Sequence, residues 1–148
     1  VFVASLAATT AMLSNAEYTI NFCFGFGSII WLIGFLIEFI ADSQKLSFNS
    51  NARNRGKFIQ SGLWKISRHP NYFGEILLWV GIAIIAFPAL IGWQYISLLS
   101  PIFVYFLLTK VSGVNLLEKK ADIKWGENED YQLYKKNTPR LFPYIARN

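Results

Sequence analysis

The chain has 148 residues, 53% of them hydrophobic, and a formal net charge of +5. Its charges are crowded into two blocks, a membrane distribution, and since each helical crossing of a bilayer takes about 20 mainly apolar residues there is room for a few crossings and no soluble second domain. One cysteine, Cys23, and one histidine, His69, exclude a disulfide framework, a cysteine-rich metal site and a site built from several histidines, and no nucleic-acid partner is expected.

The sequence opens at Val1 in apolar residues, with no initiator Met and no basic region before them. Residues 1–13 therefore read as the end of a membrane helix that begins upstream, and residues 14–18 as the loop after it, which makes the chain the C-terminal half of a longer protein. The clearest full span is 19–41, with Glu38 near its end and Asp42 just beyond. A second span starts at 72 or 73 and continues to 90, interrupted by Glu75 one turn in and by Pro88 near the far end. The turn Ile91-Gly92-Trp93 is very short, so the third span, 94–111, must return antiparallel to the second, and Pro101 is expected to kink it. The expected fold is thus all-α: a polytopic membrane bundle of about three full spans plus a truncated one, forming a single membrane domain.

Residues 43–71 carry Lys45, Arg53, Arg55, Lys57, Lys65 and Arg68 and no acid, and the tail from Glu118 is also net basic. The helical hairpin returns the chain to the side it left, so both blocks face one compartment, which the positive-inside rule makes the cytoplasm. The protein is expected to be a multi-pass integral protein of a bacterial inner membrane or the endoplasmic reticulum.

The residues most suited to chemistry lie where the basic loop meets the second span. Pro70 disfavours helix at His69 and sets up a helix N-terminus, where free N–H groups and the positive dipole end favour anions. Arg68 adds a planar fork of donors suited to phosphate, and Lys57 and Lys65 add charge; equally, these cations can serve lipid headgroups. As single residues, His69 reads as a capping or packing residue, and Asn71 as either an N-cap or a partner for an amide-bearing ring such as nicotinamide. Glu38, Asp42 and Glu75 all fall at the cytoplasmic ends of spans. Ionisable groups there are costly, which points to one shared polar cavity, with pairing to loop cations as the alternative. In the tail, residues 116–125 read as a charged helix extending the last span and ended by Gly126. The tyrosine- and proline-bearing stretch that follows is either a cover for a cofactor or a surface tail.

The run Ser61-Gly-Leu-Trp-Lys-Ile-Ser-Arg-His-Pro-Asn-Tyr-Phe-Gly-Glu75, followed by Leu117-Glu-Lys-Lys-Ala-Asp122, Tyr131-Gln-Leu-Tyr134 and Thr138-Pro139, resembles the steroid 5-alpha-reductase C-terminal family, in particular its little-characterised branch of predicted membrane reductases. The resemblance covers residues 38–144. It implies an all-helical membrane enzyme that binds NADPH from the cytoplasmic side and reduces a carbon–carbon double bond in a lipid-like substrate, with membrane lipids around it. By the same resemblance Asn71 matches an asparagine at the nicotinamide end, Asp42 an acidic cofactor-binding position, and Glu75 a pocket carboxylate that positions the reacting groups. Lys57, Arg68, His69, Tyr72, Tyr131 and Tyr134 are expected around the rest of the cofactor. Lys119 stands in a stretch where steroid and sterol reductases carry arginine and histidine. The nearest rival is a membrane methyltransferase of the isoprenylcysteine or phospholipid type, which binds S-adenosylmethionine and shares an Arg-His-Pro-x-Tyr loop but usually shows a Glu-Glu pair where this chain has Glu118-Lys119. A non-catalytic lipid-binding module is the third reading.

Overall fold

The computed structural model describes residues 21–111 and 113–143, and every regular element among them is helical. The expected helix end at 1–13 and loop at 14–18 lie outside the described residues. Three helical stretches are long and apolar enough to cross a membrane. The first, α1 (Phe22–Ser50), starts at Asn21, whose side-chain oxygen accepts from the Phe24 N–H at 3.0 Å. It does not stop near residue 41 as the hydropathy implies but runs nine residues further, into the segment read as loop. Ser43, Gln44, Lys45, Ser47 and Asn49 are polar yet compatible with helix, so apolarity ends before the helix does. The helix stops at Asn51, whose extended backbone and side chain, bonded to the Arg53 N–H, start a short 3-10 turn.

The second span, α2 (Pro70–Ala86), opens with Pro70 in its first turn, where the missing N–H has no intrahelical partner to lose. Pro88 then ends it in a 3-10 turn, Phe87–Ala89. Gly92, at φ +56°, reverses the chain. The third span is less regular than expected. It begins as 3-10 helix (Gly92–Leu99), becomes α3 (Ser100–Phe106) and ends as a π segment (Leu107–Val111). Pro101 accordingly occupies the first turn of an α-helix rather than kinking the middle of one. The π segment coincides with Thr109, whose hydroxyl donates to the Tyr105 carbonyl at 2.7 Å. Beyond Gly113, α4 (Val114–Trp125) and α5 (Glu129–Asn137) form the tail.

Helices α1 and α2 pack antiparallel along two pairs of glycines spaced seven apart. A Cβ on Gly27 would lie 2.8 Å from the Gly81 carbonyl oxygen, and one on Gly34 would lie 2.7 Å from that of Gly74 and 2.6 Å from the Leu78 nitrogen. Backbone meets backbone at both places. Ile76, Trp79, Val104, Leu108 and Leu141 form the buried core between α2, the third span and the tail. The outer face of α1 presents Phe22, Ile29 and Phe39 largely exposed, as a surface against hydrocarbon would be. Gly34→Ala and Gly74→Ala are expected to force the helices apart and cost about 1–3 kcal/mol, read as lower thermal stability of the detergent-purified protein. Gly25→Ala, which meets nothing within 4 Å on the same helix, should be neutral or slightly stabilising.

Candidate functional site

The segment between α1 and α2 is tied back to α1 through two adjacent residues. The indole N–H of Trp64 donates to the Ala41 carbonyl at 3.0 Å, and the Leu63 N–H donates to the Gln44 side chain at 3.0 Å. Gly62, at φ +60°, lets the chain pass against Gln44 where a side chain would collide. The tail then closes over this segment. Tyr134 donates to the Trp64 carbonyl at 2.6 Å, Trp125 to the Gly56 carbonyl at 2.6 Å, Ser67 to the Leu141 carbonyl at 2.7 Å, and the Arg68 N–H to the Pro139 carbonyl at 2.9 Å. The tail is therefore packed structure, not a loose surface segment.

Between loop, tail and the end of α1 lies a cavity of about 280 Å³. Its charged lining is Lys45, Lys57, Arg68, Lys120 and Lys124 against one carboxylate, Glu118, and its aromatic walls are Phe58, Trp64, Trp125, Tyr131 and Tyr134. The Phe58 ring sits edge-on to Trp125 and Tyr131, with centroids 6.0 and 5.3 Å away, and 5.4 Å from Tyr134. Burial pushes the Tyr131 and Tyr134 hydroxyls above the usual tyrosine range, so both remain donors, Tyr131 to Asp122 at 3.1 Å. Asp122 also accepts from Lys135 at 2.5 Å.

Glu118 organises the floor of this cavity. One of its oxygens pairs with the Arg68 guanidinium, and the other lies 2.8 Å from His69 Nε2. His69 is at the N-cap position of α2, but its side chain makes no capping bond there; it turns to Glu118 and stacks on Tyr72 with centroids 5.7 Å apart. Asn71 is not an N-cap either, since it lies inside the first turn. Its side-chain oxygen is buried and has no hydrogen-bond partner, and the same holds for Arg68 Nε. A buried amide oxygen left unpaired costs free energy unless a ligand satisfies it.

Lys57, Arg68, His69, Tyr131 and Tyr134 thus come together around one cavity, whereas Lys119, although on α4, does not line it. Asp42 lies with Glu38 on a separate, more open groove of about 750 Å³. The glycine contact brings α2 against this helix, with a Cβ on Gly74 reaching 3.0 Å from that of Glu38, so that Glu38, Asp42, Glu75 and the Tyr72 hydroxyl interact electrostatically. Among the described residues none of these three carboxylates forms an ion pair, so the pairing with loop cations considered above is not made. Sequence reasoning passed over Lys45, Trp64, Glu118 and Lys124 as site residues. Only Trp64 and Glu118 carried a signal, standing inside the two motif runs. Glu118→Ala would leave Arg68 and His69 facing each other without their acid, an expected loss of about 3 kcal/mol, at the low end for a buried pair because both sides keep slight solvent access. Tyr134→Phe should cost about 1 kcal/mol. Thermal melts of the two variants in one detergent check both values.

A family profile described as "Protein of unknown function (DUF1295)" matches residues 1–138. The chain is 28% identical to 3-oxo-5-alpha-steroid 4-dehydrogenase 1 of Rattus norvegicus over 123 residues, 83% of this chain and 42% of the relative. It is 31% identical to steroid 5-alpha-reductase DET2 of Solanum lycopersicum over 122 residues, 82% of this chain and 42% of the relative. A probable O-methyltransferase, ustE of Ustilaginoidea virens, is 34% identical over 80 residues, 53% of this chain and 28% of the relative. The chain spans about two fifths of the length of the Rattus norvegicus and Solanum lycopersicum relatives. No solved structure matches it. With its profile match over residues 1–138 and its helical membrane fold, the chain belongs to the DUF1295 family, the steroid 5-alpha-reductase C-terminal-like family.

Proposed function

We propose that this chain is the cofactor-holding part of a membrane reductase that uses NADPH to reduce a carbon–carbon double bond in a lipid-like substrate. The observation that carries this reading is the charge of the cavity: five cations against a single carboxylate that is already paired, within aromatic walls. NADPH fits such a lining because it combines a flat purine with several phosphate charges. S-adenosylmethionine, with a sulfonium and an amine against one carboxylate, is net cationic, and this lining would repel it. That argument outweighs the local similarity to the fungal methyltransferase, and the lack of a Glu-Glu pair at 118–119 points the same way.

Bound NADPH would supply the hydride, the chemistry no side chain can provide. The chain's own residues would bind, orient and shield it. Arg68, Lys57, Lys120 and Lys124 hold phosphates. Phe58, Trp125 and the two tyrosines enclose a purine and keep water out. The unpaired Asn71 amide takes the carboxamide of the nicotinamide ring, and Asp42 and Glu75 stand beside that end, with Glu75 in a positioning role. His69 and Tyr72, stacked together, hold the turn between loop and helix in shape. The acid-free run 43–71 supports a cytoplasmic location for this whole assembly.

The first test is equilibrium binding to the detergent-purified full-length protein, with NADPH and S-adenosylmethionine in parallel. Selective NADPH binding is expected, weakened about tenfold or more in Asn71→Ala and in Arg68→Ala. Selective binding of S-adenosylmethionine would instead favour the methyltransferase, and binding of neither would make the non-catalytic module the leading reading. For orientation, Lys57→Cys in a Cys23→Ala background should react with a membrane-impermeant maleimide in inside-out vesicles and stay unlabelled in right-side-out ones.

A further inference from the structure

The cavity and the carboxylate-bearing groove have two lining residues in common, Lys45 and Asn49, one turn apart on the extension of α1. At about 280 Å³ the cavity is at the small end for a ligand site and has room for the nucleoside end of a dinucleotide, not for all of it. A molecule bound across both compartments must therefore pass Lys45. Its ammonium is 4.9 Å from the centre of the Trp64 ring, and that ring is fixed by its bond to the Ala41 carbonyl. Lys45 has no ion pair among the described residues, so a weak ring contact is what holds it. An anion arriving at the junction would offer that ammonium a stronger partner.

We propose that Lys45 is the junction cation of the site, binding the anionic linker of a dinucleotide that lies with its adenosine end in the cavity and its other end in the groove. The inference rests on the NADPH reading above and adds to it a residue and a division of the ligand. The diphosphate linker is the part of a dinucleotide that separates its two nucleosides, and so the part that meets the boundary between two compartments. Neutral Asn49 next to it can donate to the same oxygens.

The experiment compares equilibrium binding of NADPH and of adenosine 2′-monophosphate, which has the phosphorylated adenosine end without either phosphate of the linker, to the full-length wild type, Lys45→Met and Lys45→Arg. Lys45→Met is expected to weaken NADPH about tenfold or more while leaving the monophosphate within about twofold, and Lys45→Arg to restore most of the loss. Tryptophan fluorescence gives a second readout, because drawing Lys45 off Trp64 should change wild-type emission on NADPH binding and leave the Trp64→Phe variant less responsive. Equal weakening of both ligands in Lys45→Met would overturn the inference, since Lys45 would then serve the cavity's general charge. Unchanged NADPH affinity in Lys45→Met would overturn it too, with the reductase reading intact. If the wild type binds no NADPH, that reading fails and takes the inference with it.

Discussion

The backbone contact between α1 and α2 is the constraint from which the site follows. Two glycines on each helix, seven residues apart, remove the side chains that would otherwise hold the helices at ordinary distance, and the carbonyl of each glycine faces the Cα of its opposite number. In hydrocarbon there is no hydrophobic force between apolar helices, so close packing of small residues supplies much of the attraction. The pairing also fixes register. With Gly34 against Gly74, Glu38 comes beside Gly74 and the three carboxylates converge at one end of the pair. With the helices so fixed, the extension of α1 carries Ala41, Gln44 and Lys45 beneath the loop, where they receive Trp64 and Leu63.

A second layer depends on that one. Once Trp64 is held by α1, the loop anchors the tail: the Trp64 and Gly56 carbonyls accept from Tyr134 and Trp125, and the Ser67 hydroxyl donates to the Leu141 carbonyl. The tail in turn delivers Glu118 to Arg68 and His69. The pair is nearly buried, and such pairs contribute more to a single arrangement than to net stability, because desolvation offsets the Coulomb gain. Here the arrangement fixed is the orientation of a guanidinium whose Nε is left without a partner at the edge of a cavity. This geometry suits a group that must accept an additional anion without refolding.

Much of this was legible in the sequence. Hydropathy located the spans because lipid imposes one rule on every residue of an outward face, and Pro70 located the start of α2 because its ring forbids helix before it. The end of α1 was not legible: residues 43–50 are mostly polar, but nothing in them breaks a helix, and the stop is a cap at Asn51. The irregular third span was missed for the opposite reason, since its sequence is apolar enough to read as one continuous span while its geometry is set by Pro101, Thr109 and Gly113. Of the residues that line the cavity, Arg68, His69 and the tail tyrosines stand in the motif runs, so their grouping was legible. Lys45 and Lys124 were not, because a lysine at a membrane edge looks alike whether it meets a headgroup, a ring or a cavity; only the fold separates these cases.

The charges of the two compartments add a constraint of their own. Cations dominate the lining of the cavity, whereas Glu38 and Asp42 outnumber the one shared cation, Lys45, in the groove, so the formal charge of the lining is positive in the first and negative in the second. Low-dielectric surroundings strengthen that contrast, because water screens less there. Under the proposed function, NADPH spans both compartments with its phosphates on the loop side and its nicotinamide portion toward Glu38, Asp42 and Glu75. A wholly anionic ligand would be repelled from the groove, and a wholly cationic one from the cavity. On that proposal, orientation is thereby decided before any single hydrogen bond forms, and the Asn71 amide, whose buried oxygen is unpaired, needs only to select among rings that already arrive at the right end.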